Sequence, residues 1–183
     1  AKGRILPIAR DRPEELKRCF AEAFASDVVL SSGGVSVGDF DFVKQVFAEL
    51  GAQEHFFRVA MKPGKPLVFS TVEQRGQKTL VFGLPGNPAS SLVSFELFVH
   101  PALRRLLGYP AAQSPPPVAT VRLSEPIRPD RERTHFTRAL CTRSAESPFD
   151  LWARPLAQQG SGMLRSLVGM NALLEVPPGE ATL

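Results

Sequence analysis

The chain has 183 residues and a mass of 20.0 kDa, which suits one folded domain with a smaller companion. Hydrophobic residues at 43% and charged residues at 22% exclude a disordered chain, a collagen and a coiled coil. The net charge of +4 suits an anionic partner, but 14 Lys and Arg are interleaved with 11 Asp and Glu up to Gly108, and 8 with 7 after it, which argues against a nucleic-acid stripe.

In chain order, Ala1-Lys2-Gly3-Arg4 carries no signal-peptide core, and no apolar run approaches the roughly 20 residues that cross a bilayer. A cytoplasmic protein without a membrane partner is expected. Ile5 to Ile8 is a short apolar, strand-like run. Asp11, Pro13 and Glu14 open a predicted helix, and Leu16, Cys19, Phe20, Ala23 and Phe24 form its apolar stripe at i, i+3, i+4, i+7 and i+8. A strand is expected at Asp27 to Leu30, then a loop, then a helix from about Asp39 to Leu50 that buries Phe42, Val43, Val46, Phe47 and Leu50 and ends at Gly51. Strands follow at Phe56 to Ala60, Pro66 to Val72 and Thr79 to Leu84, the last two joined across the polar turn Glu73 to Lys78. A third helix starts at Asn87-Pro88 and runs toward His100, where Pro101 kinks or restarts it before Leu103 to Leu107.

Strands separated by such helices predict an α/β fold over residues 1–108, a mostly parallel sheet with helices on both faces. Ten of the 17 prolines fall after Gly108, and Tyr109 to Pro117 reads as an extended connector. Residues 118–183 offer short runs at Val118 to Leu123, His135 to Cys141, Asp150 to Leu156, Leu164 to Leu167 and Ala172 to Val176, which predict a small all-β, barrel-like domain.

Three loops of the first half lie where an open α/β sheet places its ligands. In the first, Gly33 and Gly34 let a ligand approach the backbone, and Ser31, Ser32 and Ser36 can donate hydroxyls. Asp39 and Asp41 stand where the next helix begins. One can cap it, leaving the other free to hold a hard cation such as Mg²⁺ bridging to phosphate. In the second loop, Met61-Lys62-Pro63-Gly64-Lys65-Pro66, two lysines sit on a stiff frame suited to an oxyanion. It is not a P-loop, since Val59 stands where a glycine is needed and Pro66 where a Mg²⁺-binding hydroxyl belongs. In the third, Gly83 to Ser91, a strand turns sharply at Pro85-Gly86-Asn87 into a helix, so the N–H groups of Ala89 to Ser91 are expected to face the ligand, with Ser90 and Ser91 adding hydroxyls.

Conventional catalytic groups are thin. His55 and His100 read as structural histidines, and His135 lies among arginines with no obvious acid partner. Cys19 and Cys141 have no partner at ligand spacing and read as core thiols, and Trp152 as a core residue. Every basic residue of the second half is an arginine. Alternation places Phe136 and Arg138 on one strand face.

Four segments, taken together and in order, resemble the molybdopterin molybdenumtransferase family, the MoeA enzymes and the gephyrin E-domain. They are Ser31-Ser32-Gly33-Gly34-Val35-Ser36-Val37-Gly38-Asp39-Phe40-Asp41, Met61 to Pro66, Gly83 to Ser90, and Pro101 to Gly108. Phe136-Thr137-Arg138 and Ser166 to Leu174 extend the likeness more loosely. The resemblance implies molybdenum cofactor biosynthesis: insertion of molybdate into adenylylated molybdopterin with release of AMP, requiring Mg²⁺, by a homodimer in the full-length protein. It implies that Asp41 holds Mg²⁺ with Ser36 and Asp39 shaping its loop, that Lys62, Lys65, Pro66 and Ser90 line the oxyanion site beside Ser32, Gly33, Gly34 and Asn87, and that Arg138 and Ser166 reach in from the β domain. Family members carry further domains, so a C-terminal fragment, inactive in isolation, is expected. The alternatives are a dimeric receptor-anchoring scaffold of gephyrin type and a pterin adenylyltransferase sharing the α/β fold; retention of Asp41, Lys62 and Lys65 favours the transferase over the scaffold.

Overall fold

A computed structural model describes residues 1–10, 12–34, 42–74, 76–144, 147 and 149–182. Pro13 occupies the first turn of helix α1 (Pro13–Ala23), where its missing N–H costs nothing, and Glu14 and Glu15 favour the positive end of the helix dipole. Strand β1 (Val28–Ser32) follows, then helix α2 (Phe42–Glu49). Leu16, Phe20 and Phe24 pack with Val43, Val46 and Phe47 of α2 against Val29, Val68, Val72 and Val81 of the sheet. Burying each such side chain contributes about 1.5–3 kcal/mol.

The sheet is ordered β1-β5-β4-β2, with β2 at Gln53–Phe57, β4 at Val68–Gln74 and β5 at Gln77–Leu84. The α/β class is as expected, but the sheet is not mostly parallel among the described residues: β1 runs parallel to β5, whereas β4 pairs antiparallel with both β5 and β2. The reason is the short turn between Gln74 and Gln77, which can close a hairpin but not the dozen-residue crossover that a parallel pair needs. Helices do cover both faces. Helix α3 (Pro88–Ser94) and helix α4 (His100–Leu106) join through a π-helical turn, Phe95–Val99, and their Phe95, Phe98, Val99 and Leu103 pack against Leu67, Phe82 and Leu84. The π turn is where the helix absorbs the ring and missing N–H of Pro101 without breaking.

The second sheet is built on β7 (Thr134–Arg143), which pairs with β3 (Met61–Lys62), β8 (Leu151–Pro155) and β9 (Ala172–Val176), while β6 (Arg122–Leu123) pairs with β8. Ile127, Ala139, Ala153, Leu174 and Val176 form its core. Several expectations differ: Leu164–Leu167 is a 3₁₀ turn, the connector 109–117 holds a 3₁₀ turn at Ala111–Gln113, Trp152 is 39% exposed, and Ile5 and Ile8 are almost fully exposed in a segment without regular secondary structure. No described helix is long and apolar enough to cross a membrane.

Candidate functional site

Ser32 at the end of β1 lies opposite Leu84 at the end of β5, and because β4 is antiparallel to β5, its first residue Val68 lies opposite Gly83 at the same edge. All three loops therefore open on one side. The start of β7 faces them through the pairing of Lys62 with His135. Between them is a cleft of about 620 Å³, lined by Gly33 and Gly34 of the first loop, Lys62, Lys65 and Pro66 of the second, and Asn87 and Ser90 of the third.

Backbone contacts hold the loops together. Gly33 N–H donates to the Leu84 carbonyl at 3.0 Å, and a Cβ added to Gly86 would lie 3.4 Å from the Gly33 Cα, so the first and third loops touch backbone to backbone. Gly64 has φ +107°, and a Cβ there would meet Met61 Cε at 2.6 Å, so the frame of the two lysines requires glycine. Val59 N–H donates to the Lys65 carbonyl and Arg58 N–H to that of Leu67, which closes the loop on itself.

The second half contributes residues that spacing did not reveal: Arg133, His135, Gln159, Gly160 and Ser161 also line the cleft. Only the alternation that puts Arg133 and His135 on one side of the chain entering β7 could have signalled the first two. Lys62, Lys65 and Arg133 are the charged residues of this described lining, and it contains no carboxylate. Asp130 stands just behind. Its Oδ1 accepts the N–H groups of Glu132 at 3.1 Å and Arg133 at 3.2 Å, and its Oδ2 meets Arg133 Nη2 at 2.9 Å and Lys62 Nζ at 3.7 Å. The Glu132 N–H, then the Arg133 guanidinium, lower its pKa to about 2. A carboxyl so depressed supports the fold above its ordinary pKa, and that support is lost as the pH falls toward about 2. His135 is half-buried, and burial first, then the charge of Lys62, holds its pKa below the ordinary histidine value.

Other expected groups are placed differently. Ala89 N–H does not face the cleft: it donates to the Ser161 carbonyl at 3.1 Å, and Ser91 N–H donates to the Asn87 carbonyl. Asn87 does not cap α3 with its side chain but donates from Nδ2 to Ser161 Oγ at 3.0 Å, tying the two halves together. Arg138 and Ser166 are not in the lining. Ser166 is buried, its hydroxyl donating to the Met163 carbonyl of its own turn. Arg138 is fully buried beneath the Gln159–Gly160 wall, where Gln159 accepts its backbone N–H and donates to its carbonyl. Its Nη2 reaches the Gly160 carbonyl at 3.5 Å, whereas Nε and Nη1 have no partner among the described residues. Burial pushes its pKa down, yet a guanidinium stays charged, so positive potential stands behind the wall. Ser32 is exposed and lines a neighbouring groove instead. Ser36, Asp39 and Asp41 lie outside the described residues. Among the described residues, no group of three His, Cys, Asp or Glu could hold a metal ion. His55 and His100 are held by Thr71 and Glu96, and both cysteines are free and half-buried.

Residues 4–105 match the family described as the probable molybdopterin binding domain, and residues 120–183 match the MoeA C-terminal region, domain IV. Gephyrin from Dictyostelium discoideum is 39% identical over 191 residues, covering 94% of this chain and 26% of that protein. Molybdopterin molybdenumtransferase from Nostoc sp. is 39% identical over 178 residues, 96% of this chain and 40% of that protein, and the same-named protein from Haemophilus influenzae is 32% identical over 173 residues. The crystal structure of the molybdopterin biosynthesis MoeA protein from Pyrococcus horikosii superposes with a TM-score of 0.71 at 29% identity, over 96% of this chain and 39% of that one. The chain thus spans well under half the length of these relatives. With one match over more than half of its residues and a second over the segment that follows, it belongs to the MoeA and gephyrin E-domain family of molybdopterin molybdenumtransferases.

Proposed function

We propose that the cleft binds molybdate and the phosphate groups of adenylylated molybdopterin, and that the intact protein, as a homodimer, inserts molybdate into the pterin dithiolene with release of AMP. The observation that carries this reading is the wall chemistry: Lys62, Lys65 and Arg133 converge on one cleft whose described lining holds no carboxylate. Both substrates are anions, and bringing them together is opposed by their charges. Lys62 and Arg133, steadied on one side by Asp130, and Lys65, on a frame of proline and glycine, offset that repulsion without reorganising. Ser90, buried at the start of α3, offers a hydroxyl to the same space, and Gly33 and Gly34 let a phosphate approach the backbone.

Mg²⁺ is assigned to Asp41. The described lining supplies cations and neutral amide and hydroxyl oxygens but no carboxylate, so the ion would depend on Asp41, its loop and the substrate's own phosphates, and no step above runs through it. A receptor-anchoring scaffold has no need of a cation-lined cleft, and the match of residues 120–183 to the MoeA C-terminal region disfavours a bare adenylyltransferase.

The test is AMP release from adenylylated molybdopterin by the intact protein with molybdate and Mg²⁺. Asp41→Asn is expected to abolish the release while leaving the melting temperature unchanged. Release at the wild-type rate would remove Asp41 from the reaction.

A further inference from the structure

His135 is the imidazole of the cleft lining, and its setting differs from that of the other two histidines, each of which is engaged by a neighbouring side chain. It pairs across the β3–β7 ladder with Lys62. Arg133 precedes it by two residues on the same chain, and Arg138 lies three residues on, with its charge buried behind the wall. From β9, the residue opposite is the apolar Val176, with Glu175 alternating to the other face. The carboxylate that bears on it among the described residues is Asp130, already engaged by Arg133 and Lys62. The ring thus stands in a field dominated by three cations, half shielded from water, and both effects favour its neutral form.

A dianion seated among Lys62, Lys65 and Arg133 offsets most of that field. Two negative charges enter the space that the imidazole borders, and the cost of protonating it falls. The proton comes from solvent and no covalent bond is made or broken in the ligand.

We propose that His135 takes up a proton when a dianionic oxyanion binds in the cleft, so that the site gains a fourth cation and captures its anion more tightly as the pH falls. The inference rests on the reading of the cleft as an oxyanion site. Linkage sets its size: for a single proton, affinity can rise by at most about tenfold per pH unit, and proton uptake per anion lies between zero and one.

The probe is molybdate alone, a dianion over the range used, titrated calorimetrically into the intact protein between about pH 6 and pH 7.5 in buffers of different ionisation enthalpy. The expected result is net proton uptake on binding, with affinity rising about three- to tenfold toward the acid end. Both are expected to be lost in His135→Gln, whatever the absolute affinity of that variant. Should the variant fail to fold, the ring-proton resonance of His135 in the wild-type protein decides the question, its titration moving to higher pH when molybdate is added. Binding with a flat pH profile and no proton uptake overturns the proposal and leaves the oxyanion site standing, and so does uptake that persists without His135. No molybdate binding at any pH overturns the reading of the cleft itself, and this inference with it.

Discussion

Methionine at both Lys62 and Lys65 is expected to weaken molybdate binding by the intact protein at least about a hundredfold, with little change in melting temperature. Each charge-assisted hydrogen bond to an oxyanion contributes about 1.5–3 kcal/mol, and losing two of them corresponds to about two to four orders of magnitude in affinity. Both side chains are exposed, so folding loses little. The ion pair of Lys62 with Asp130 is long, at 3.7 Å, and half-exposed on the lysine side. Calorimetric titration and a thermal melt on the same sample separate the two effects. Unchanged affinity with both charges gone would mean that the anion is held elsewhere.

Arg138→Met is expected to move stability and binding in opposite directions. The guanidinium is fully buried, two of its nitrogens lack partners among the described residues, and its bond to Gly160 is long at 3.5 Å. Replacing such a charge by an apolar side chain of similar reach removes a desolvation cost that the surroundings do not repay, a change that ranges from neutral to stabilising by about 1–4 kcal/mol. The same change removes positive potential behind the Gln159–Gly160 wall, so molybdate affinity is expected to fall several-fold while the melting temperature holds or rises. A strongly destabilised variant with wild-type affinity would make Arg138 a purely structural residue. A residue that costs stability where it sits and strengthens a binding site is the pattern expected near function.

Local patterns made much of this legible. The stripe from Leu16 to Phe24 and the cluster Val43, Val46 and Phe47 signal their helices because burial of one face sets a 3.6-residue period. Pro13 and Pro88 mark helix starts because only there is a missing N–H harmless. Strand sense was harder to read, since the apolar runs of β4 and β5 look alike in either direction and the hairpin between them decides. The π turn before Pro101 and the 3₁₀ turn at Leu164 to Leu167 have no periodic signature. Of the site, the loops carrying Gly33, Lys62, Lys65 and Ser90 stood out because proline, glycine and lysine at short spacing constrain the backbone. Arg133, His135 and Ser161 did not, because their part depends on Lys62 pairing with His135 and Ala89 bonding to Ser161, contacts between segments more than 70 residues apart. Arg138 was visible as a candidate, but not its burial, which comes from Gln159 folding the wall over it. The first loop's Ser36, Asp39 and Asp41 lie outside the described residues.

Anomalous scattering at the molybdenum edge, from crystals of the intact protein soaked in molybdate, tests the oxyanion cleft most directly. The account predicts a peak within hydrogen-bonding distance of Lys62, Lys65 and Arg133, between the Pro63–Pro66 loop and the start of β7. A peak confined to any other surface, with this cleft empty at saturating molybdate, would contradict it.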